Sequence, residues 1–182
     1  MREALPRDEV TLEEIPAPSR LAPHALAFAA EVHDGDAEVA SGRLVVLHDP
    51  EGQEGWAGDT RLVTLVQAPV EPEMAGDPLL GEVAWGWLAE ALASRGARSH
   101  AAGGTVTRTA STSFGDLAAD GEASATQEHA EVELRASWSP GPSGERSGLD
   151  EDLVAHLAAW CDLLCAVGGL PPTGVTALPP RD

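Results

Sequence analysis

From Glu131 to Trp138 the chain alternates without a break: Val132, Leu134, Ala136 and Trp138 are apolar, and Glu131, Glu133, Arg135 and Ser137 between them are polar. Successive side chains of a strand point to opposite faces, so a period of two means one packed face and one wet face. That pattern suits an antiparallel sheet covered on one side, and argues against a parallel sheet, whose strands are apolar on both faces. A second run, from about Gly104 to Phe114, places Thr105, Thr107, Thr109 and Ser111 at alternate positions. Such a hydroxyl ladder fits an exposed pleated face.

Four earlier segments read as strands. Glu9 to Ile15 is closed by Pro16-Ala-Pro18, and Leu26, Phe28, Ala30 and Val32 alternate up to the turn His33-Asp34-Gly35-Asp36. Val39 to His48 and Arg61 to Val70 follow, and the turn residues between them predict antiparallel hairpins. Two stretches carry the helical period instead. In the first, Asp77 fits an N-cap and Pro78 the first helical position; Leu80, Val83, Ala84, Trp87, Leu88 and Ala91 share a face, and Gly96 ends it. Trp85 and Leu92 stand around from the centre of that face, which puts Trp85 at a rim. In the second, Asp150 can cap, Leu149 and Val154 can form a hydrophobic staple, and Leu153, Leu157, Trp160, Cys161, Leu164 and Cys165 make a stripe that stops at Gly168-Gly169.

The order ββββαββα predicts an α+β fold of two layers: a mainly antiparallel sheet of about six strands with two amphipathic helices on one face. Residues 1–170 are expected to form a single domain and residues 171–182 a flexible C-terminal tail, with a small, acidic connection from Gly115 to Gln127. A chain of 182 residues with 43% hydrophobic content buries a core without disulfide staples.

The formal charge is −19, with 30 acidic residues spread along the length and no basic stripe, which argues against direct nucleic-acid binding. No apolar run approaches the roughly 20 residues of a membrane helix, the first ten residues are too acidic for a signal peptide, and two late cysteines make no secretory framework. The expectation is a cytoplasmic protein with no membrane contact. Every basic residue is Arg, there is no Lys, Asn or Tyr, and Ile15 is the sole isoleucine. These gaps share A/T-rich codons, so they report a high-GC genome and not phosphate binding.

Four blocks carry a resemblance: Leu12-Glu-Glu-Ile-Pro-Ala-Pro18, Gly42-Arg-Leu-Val-Val-Leu-His-Asp-Pro50, Pro72-Glu-Met-Ala-Gly-Asp-Pro-Leu-Leu80 and His156-Leu-Ala-Ala-Trp-Cys-Asp-Leu-Leu-Cys165. In these the chain resembles an actinobacterial family catalogued as a domain of unknown function, number three thousand in its series, over nearly its whole length. The resemblance implies a high-GC actinobacterial source and transfers no activity and no catalytic residue. It also implies a helical segment ahead of the first strand, of which Met1-Arg-Glu-Ala-Leu5 would be the end, and so either a late start to this chain or a misplaced gene start.

The loop from His48 to Asp59 is the most suggestive segment. His48, Asp49, Glu51, Glu54 and Asp59 could offer ligands to a hard cation, although acids do not recur at alternate positions with a closing Glu as in an EF-hand. Asp, Pro and Gly also serve turn geometry. Cys161 and Cys165 lie four apart in the apolar stripe, where a buried thiol acts as a small hydrophobe. His156 is expected to face away from that stripe, near Asp152. Gly103-Gly104 precede a strand, not a helix, and make no phosphate cradle.

With no convergent catalytic cluster, no catalytic residue and no cofactor are assigned. The leading expectation is a non-catalytic protein-interaction or regulatory domain, with another cytoplasmic protein or a second copy (a homodimer) as partner and Trp85 and Trp56 as candidate partner-binding residues. Two alternatives stand beside it: a metal-dependent enzyme or binding protein using the 48–59 loop, and an acidic nucleic-acid mimic.

Overall fold

The computed structural model describes residues 7–115, 126–141 and 149–172, with the side chains of Thr126 and of residues 149–152 outside the described set. The elements are β1 (Val10–Ile15), β2 (His24–Asp34), β3 (Ala37–His48), β4 (Thr60–Val70), α1 (Pro72–Gly76), α2 (Leu80–Ser94), β5 (Ser99–Phe114), β6 (Thr126–Pro140) and α3 (Leu149–Val167). The strands form one sheet of six in the order β1-β2-β3-β4-β6-β5, every neighbouring pair antiparallel. This is the expected α+β architecture, with β6 set between β4 and β5.

The period of two decides which face is packed. Across three adjacent strands the register pairs Val46 with Leu62 and Leu62 with Trp138; one step along, it pairs Leu44, Thr64 and Ala136. Leu44, Leu62, Val66, Val132, Leu134 and Trp138 are buried together with Leu88, Leu92, Trp160, Leu163 and Leu164 of the helices. Each Leu or Val so buried contributes about 1.5–3 kcal/mol of transfer free energy, so this layer carries the fold. Gly42 lets α3 come close: a Cβ there would stand 2.9 Å from Leu164 Cδ2 and 2.9 Å from the Leu65 carbonyl. Between β2 and β3 the chain reverses at Gly35, whose φ of 62° is the left-handed conformation that primed hairpin turns need.

The helices depart from expectation in phase and start. A short helix, α1, precedes the first expected one, opened by Pro72 in its first turn. Asp77 closes α1, and α2 begins at Leu80 with Leu79 as its N-cap; the Asp77 carboxylate still accepts from the Leu79 N–H at 2.8 Å, so it caps one turn early. The buried face of α2 is Leu80, Ala84, Leu88, Ala91 and Leu92, while Val83 is exposed. Leu92 therefore lies inside that face. Its stripe is rotated toward Trp85, which is half-buried over Gly104 of β5.

On α3 the expected Trp160, Cys161, Leu164 and Cys165 are buried, and Leu153 and Leu157 are partly so. His156, expected to face away, is 1% exposed. Its Nδ1 accepts from the Trp138 indole N–H at 3.1 Å, and that bond makes burial of the ring tolerable. A bidentate pair from Arg95, just past α2, to Asp162 of α3 at 2.5 and 2.8 Å ties the two helices. The Asp150 cap, the Leu149–Val154 staple, the proximity of His156 to Asp152, the body of the acidic connection and the tail beyond Pro172 lie outside the described residues. No helix among the described residues is long and apolar enough to cross a membrane.

Candidate functional site

The loop between β3 and β4 closes on itself: the Asp49 N–H donates to the Asp59 carbonyl at 2.8 Å, and the Gly52 N–H to the Asp49 carbonyl at 2.8 Å. Its acids serve its own turns. Asp49 Oδ1 accepts from the Glu51 N–H at 3.1 Å and Oδ2 from the Gln53 amide at 3.1 Å. Asp59 Oδ1 accepts from the Thr60 hydroxyl at 2.9 Å; that hydroxyl, its proton so placed, accepts in turn from His48 Nδ1 at 3.0 Å. The chain of bonds fixes the His48 tautomer with its proton on Nδ1. His24 is the nearest aromatic neighbour, its ring centroid 6.0 Å away. Of the five candidate ligands, His48 and Asp59 meet through Thr60, whereas Glu51 and Glu54 are exposed and, with Asp59, line an open concavity of about 470 Å³. Among the described residues no group of three His, Cys, Asp or Glu side chains stands close enough to hold a metal ion.

The loop is docked on the sheet at two points. The Ser139 hydroxyl of β6 donates to the Trp56 carbonyl at 2.5 Å, and His100 Nε2 of β5 bonds the Ala57 carbonyl at 2.9 Å. Ala57 has a φ of 58°, uncommon without glycine, and this turn presents both carbonyls to the sheet. Trp56 is half-buried there.

The cysteines are not reactive centres. Burial, reinforced by its neighbour Cys165, holds the Cys161 thiol up at about 12; burial holds that of Cys165 up at about 11, eased by the charge of Arg7. Both are neutral thiols at neutral pH. Because the folded values lie above the ordinary 9.0, the stabilisation they confer is complete below that value and is lost as the pH climbs through 11–12. A disulfide-exchange thiol reagent at pH 8 is expected to label neither cysteine until the chain unfolds. Burst labelling of either in the native protein would contradict the packing of α3.

The other concentration of chemistry is the uncovered face of the sheet. The register runs Ala29–Arg43–Leu65–Arg135–Thr105 across five strands, with Ala27–Val45–Val63–Ser137–Gly103 beside it. These residues alternate with the helix-facing ones, so they share the open side. Arg43, Val45, Val63, Leu65, Thr105 and Arg135 line a shallow concavity of about 450 Å³. Arg43 is exposed, and among the described residues no carboxylate pairs with it. Arg61, one row on, bonds among the described residues only neutral oxygens: the Ala101 carbonyl at 2.8 Å, Ser137 Oγ at 2.7 Å and Ser139 Oγ at 3.3 Å. Burial lowers its pKa from the usual guanidinium value, as expected for a cation without an anion beside it. Arg135 pairs with Glu133 at 2.7 Å yet stays 66% exposed.

The sequence marked Glu133, Arg135 and Ser137 as wet, but not that β4 would place Leu65 between Arg135 and Arg43. Nothing in the spacing of these three arginines announces the cluster. Of the tryptophans singled out from sequence, Trp85 lies off this face, over Gly104 on the helix side, while Trp56 sits in the loop docked at its end through Ser139, whose hydroxyl also accepts from Arg61. A larger groove of about 670 Å³ runs between α2 and α3, but its Arg95 and Asp162 bind each other.

No curated protein and no solved structure matches this chain. A family model does, over residues 1–176, and the chain therefore belongs to the family described as Protein of unknown function (DUF3000).

Proposed function

We propose that this domain is a non-catalytic protein-interaction module that receives its partner on the open face of the sheet. One observation carries the reading: in a chain of net charge −19, three of the eleven arginines converge on that face around Val45, Val63 and Leu65. Open faces are ordinary in antiparallel sheets. This one differs in pairing an apolar strip with cations, Arg43 and Arg61, that among the described residues lack carboxylate partners, in a molecule with acids to spare. The chemistry fits a partner segment that sets an apolar side chain in the concavity and carboxylates against Arg43 and Arg135. A nucleic-acid mimic would line one face with carboxylates alone; this face carries Glu131 and Glu133 of β6 but also sets Arg43, Arg61 and Arg135 around its apolar strip. Two buried free thiols support a reducing, cytoplasmic setting. Self-association, with a second copy as partner, is a further form of the same module.

The test is capture from the native host with chemical cross-linking, comparing the wild type with Arg43→Glu/Arg135→Glu. Both side chains are exposed, so the fold should be unchanged. A partner held by the wild type is expected to bind the variant roughly tenfold more weakly or worse, with cross-links on β3, β4 and β6. Equal capture by both, with cross-links elsewhere, would falsify the reading.

A further inference from the structure

The two edges of the sheet are built differently. β1 is six residues long, carries Glu13 and Glu14, and is followed at once by Pro16 and Pro18. Short length, charge and proline are the usual means by which a strand edge is kept from pairing with another chain. β5 is sixteen residues long and, among the described residues, pairs only with β6. It contains no Lys, Pro, Asp or Glu, and its one irregularity is a bulge between His100 and Gly103, near its start. Among the described residues no main-chain hydrogen bond reaches its outer edge from Gly103 to Phe114. The one guanidinium in the strand, Arg108, is turned to the Ala75 and Asp77 carbonyls at the end of α1 and does not guard the edge.

Charge singles out the same segment. From Ala91 to Gly115 the chain holds no acidic residue, where its average of 30 acids in 182 residues would place about four. Two copies of a molecule at −19 repel, and the screening length at physiological salt is about 8 Å. The acid-free edge is where they can approach at least cost.

We propose that β5 pairs edge to edge with β5 of a second copy, antiparallel, to give a continuous twelve-stranded sheet. Eleven residues on each side, Gly104 to Phe114 about Thr109, would exchange roughly ten to twelve main-chain hydrogen bonds. Thr105, Thr107, Thr109 and Ser111 would meet their counterparts on the open side, as hydroxyl ladders do across strands. The interface is isologous, and antiparallel pairing puts its two-fold axis perpendicular to the sheet. Both helix layers then lie on one side and both open faces on the other, so the dimer presents two copies of the arginine-lined concavity in one plane. The pairing rests on the edge of β5 and not on what the open face binds.

The experiment is sedimentation of the full chain over a range of micromolar concentrations, at low and high sodium chloride. The wild type is expected at twice 18.8 kDa, with association strengthening as salt screens the like charges. The edge variant is Thr107→Lys/Thr109→Lys. Within one chain these lysines face Glu133 and Glu131, so the monomer keeps its fold, while the edge gains the charged side chains that block pairing. It is expected at 18.8 kDa with an unchanged melt, whereas Thr107→Ala/Thr109→Ala and Arg43→Glu/Arg135→Glu stay dimeric. In the wild type, amide exchange within β5 should slow as concentration rises. A wild type that stays monomeric, a lysine variant that stays dimeric, or dissociation caused by the Arg43/Arg135 variant would each overturn the proposal; the last would move the contact to the open face.

Discussion

Replacing Trp160 with alanine is expected to remove roughly 3–5 kcal/mol of folding free energy. Trp160 is fully buried on α3, its ring lies over Gly42, and its indole N–H donates to Thr64 Oγ1 at 2.8 Å. Thr64 spends its own proton on the Arg43 carbonyl at 2.8 Å. The truncation therefore opens a cavity in the helix–sheet layer and leaves a buried hydroxyl with one partner fewer, two costs that add. Trp160→Phe keeps most of the ring volume and should lose about half as much. Urea unfolding with a constant slope reads both values. A loss under about 1 kcal/mol for the alanine variant would mean that α3 does not dock by this face. The same bonds link the helix layer to the open face, because the residue whose carbonyl Thr64 holds is the one whose guanidinium faces solvent.

The strands were legible because alternation survives without knowledge of partners. Val132, Leu134, Ala136 and Trp138 are buried wherever β6 sits, since the pleat alone separates them from Glu131 and Arg135. Partner choice was not legible. Arg43 and Arg135 share a row with Leu65 because β6 pairs with β4, and no local signal says that the last strand enters between β4 and β5. Helix phase was legible only to within about a residue's rotation. His156 was placed off the apolar stripe of α3, and the indole N–H bonded to it comes from Trp138 of the preceding strand, a cross-element contact that helical spacing does not show. α1 has five residues, too few for a 3.6-residue period to show, although Pro72 and Gly76 mark its ends. In the 48–59 loop the residue types suit both a cation site and turns. Asp49 serves the loop's backbone and Asp59 the Thr60 hydroxyl, which spacing alone did not reveal.

Gly42→Ala is the smallest change to the sequence with a large expected effect, a loss of about 1–3 kcal/mol from overpacking. An alanine methyl at this position would meet Leu164 Cδ2 at 2.9 Å, the Leu65 carbonyl at 2.9 Å and Trp160 Cζ2 at 3.2 Å. Leucine can turn to another rotamer, but the carbonyl belongs to the neighbouring strand and the indole is pinned by its bond to Thr64, so relief must come from α3 lifting off the sheet. The substitution is therefore expected to couple to α3 and not to the hairpin. In a Leu164→Ala background the methyl has room on one side, so Gly42→Ala should cost less there than in the wild type, with a coupling of roughly 0.5–3 kcal/mol. Strict additivity of the two changes would mean that Gly42 is not the contact that sets the distance between helix and sheet. Should α3 lift, Thr64 loses its indole donor, and the Arg43–Leu65–Arg135 row on the far face is the part of the open face closest to the disturbance. Partner binding at that face should then weaken in Gly42→Ala with no open-face side chain altered.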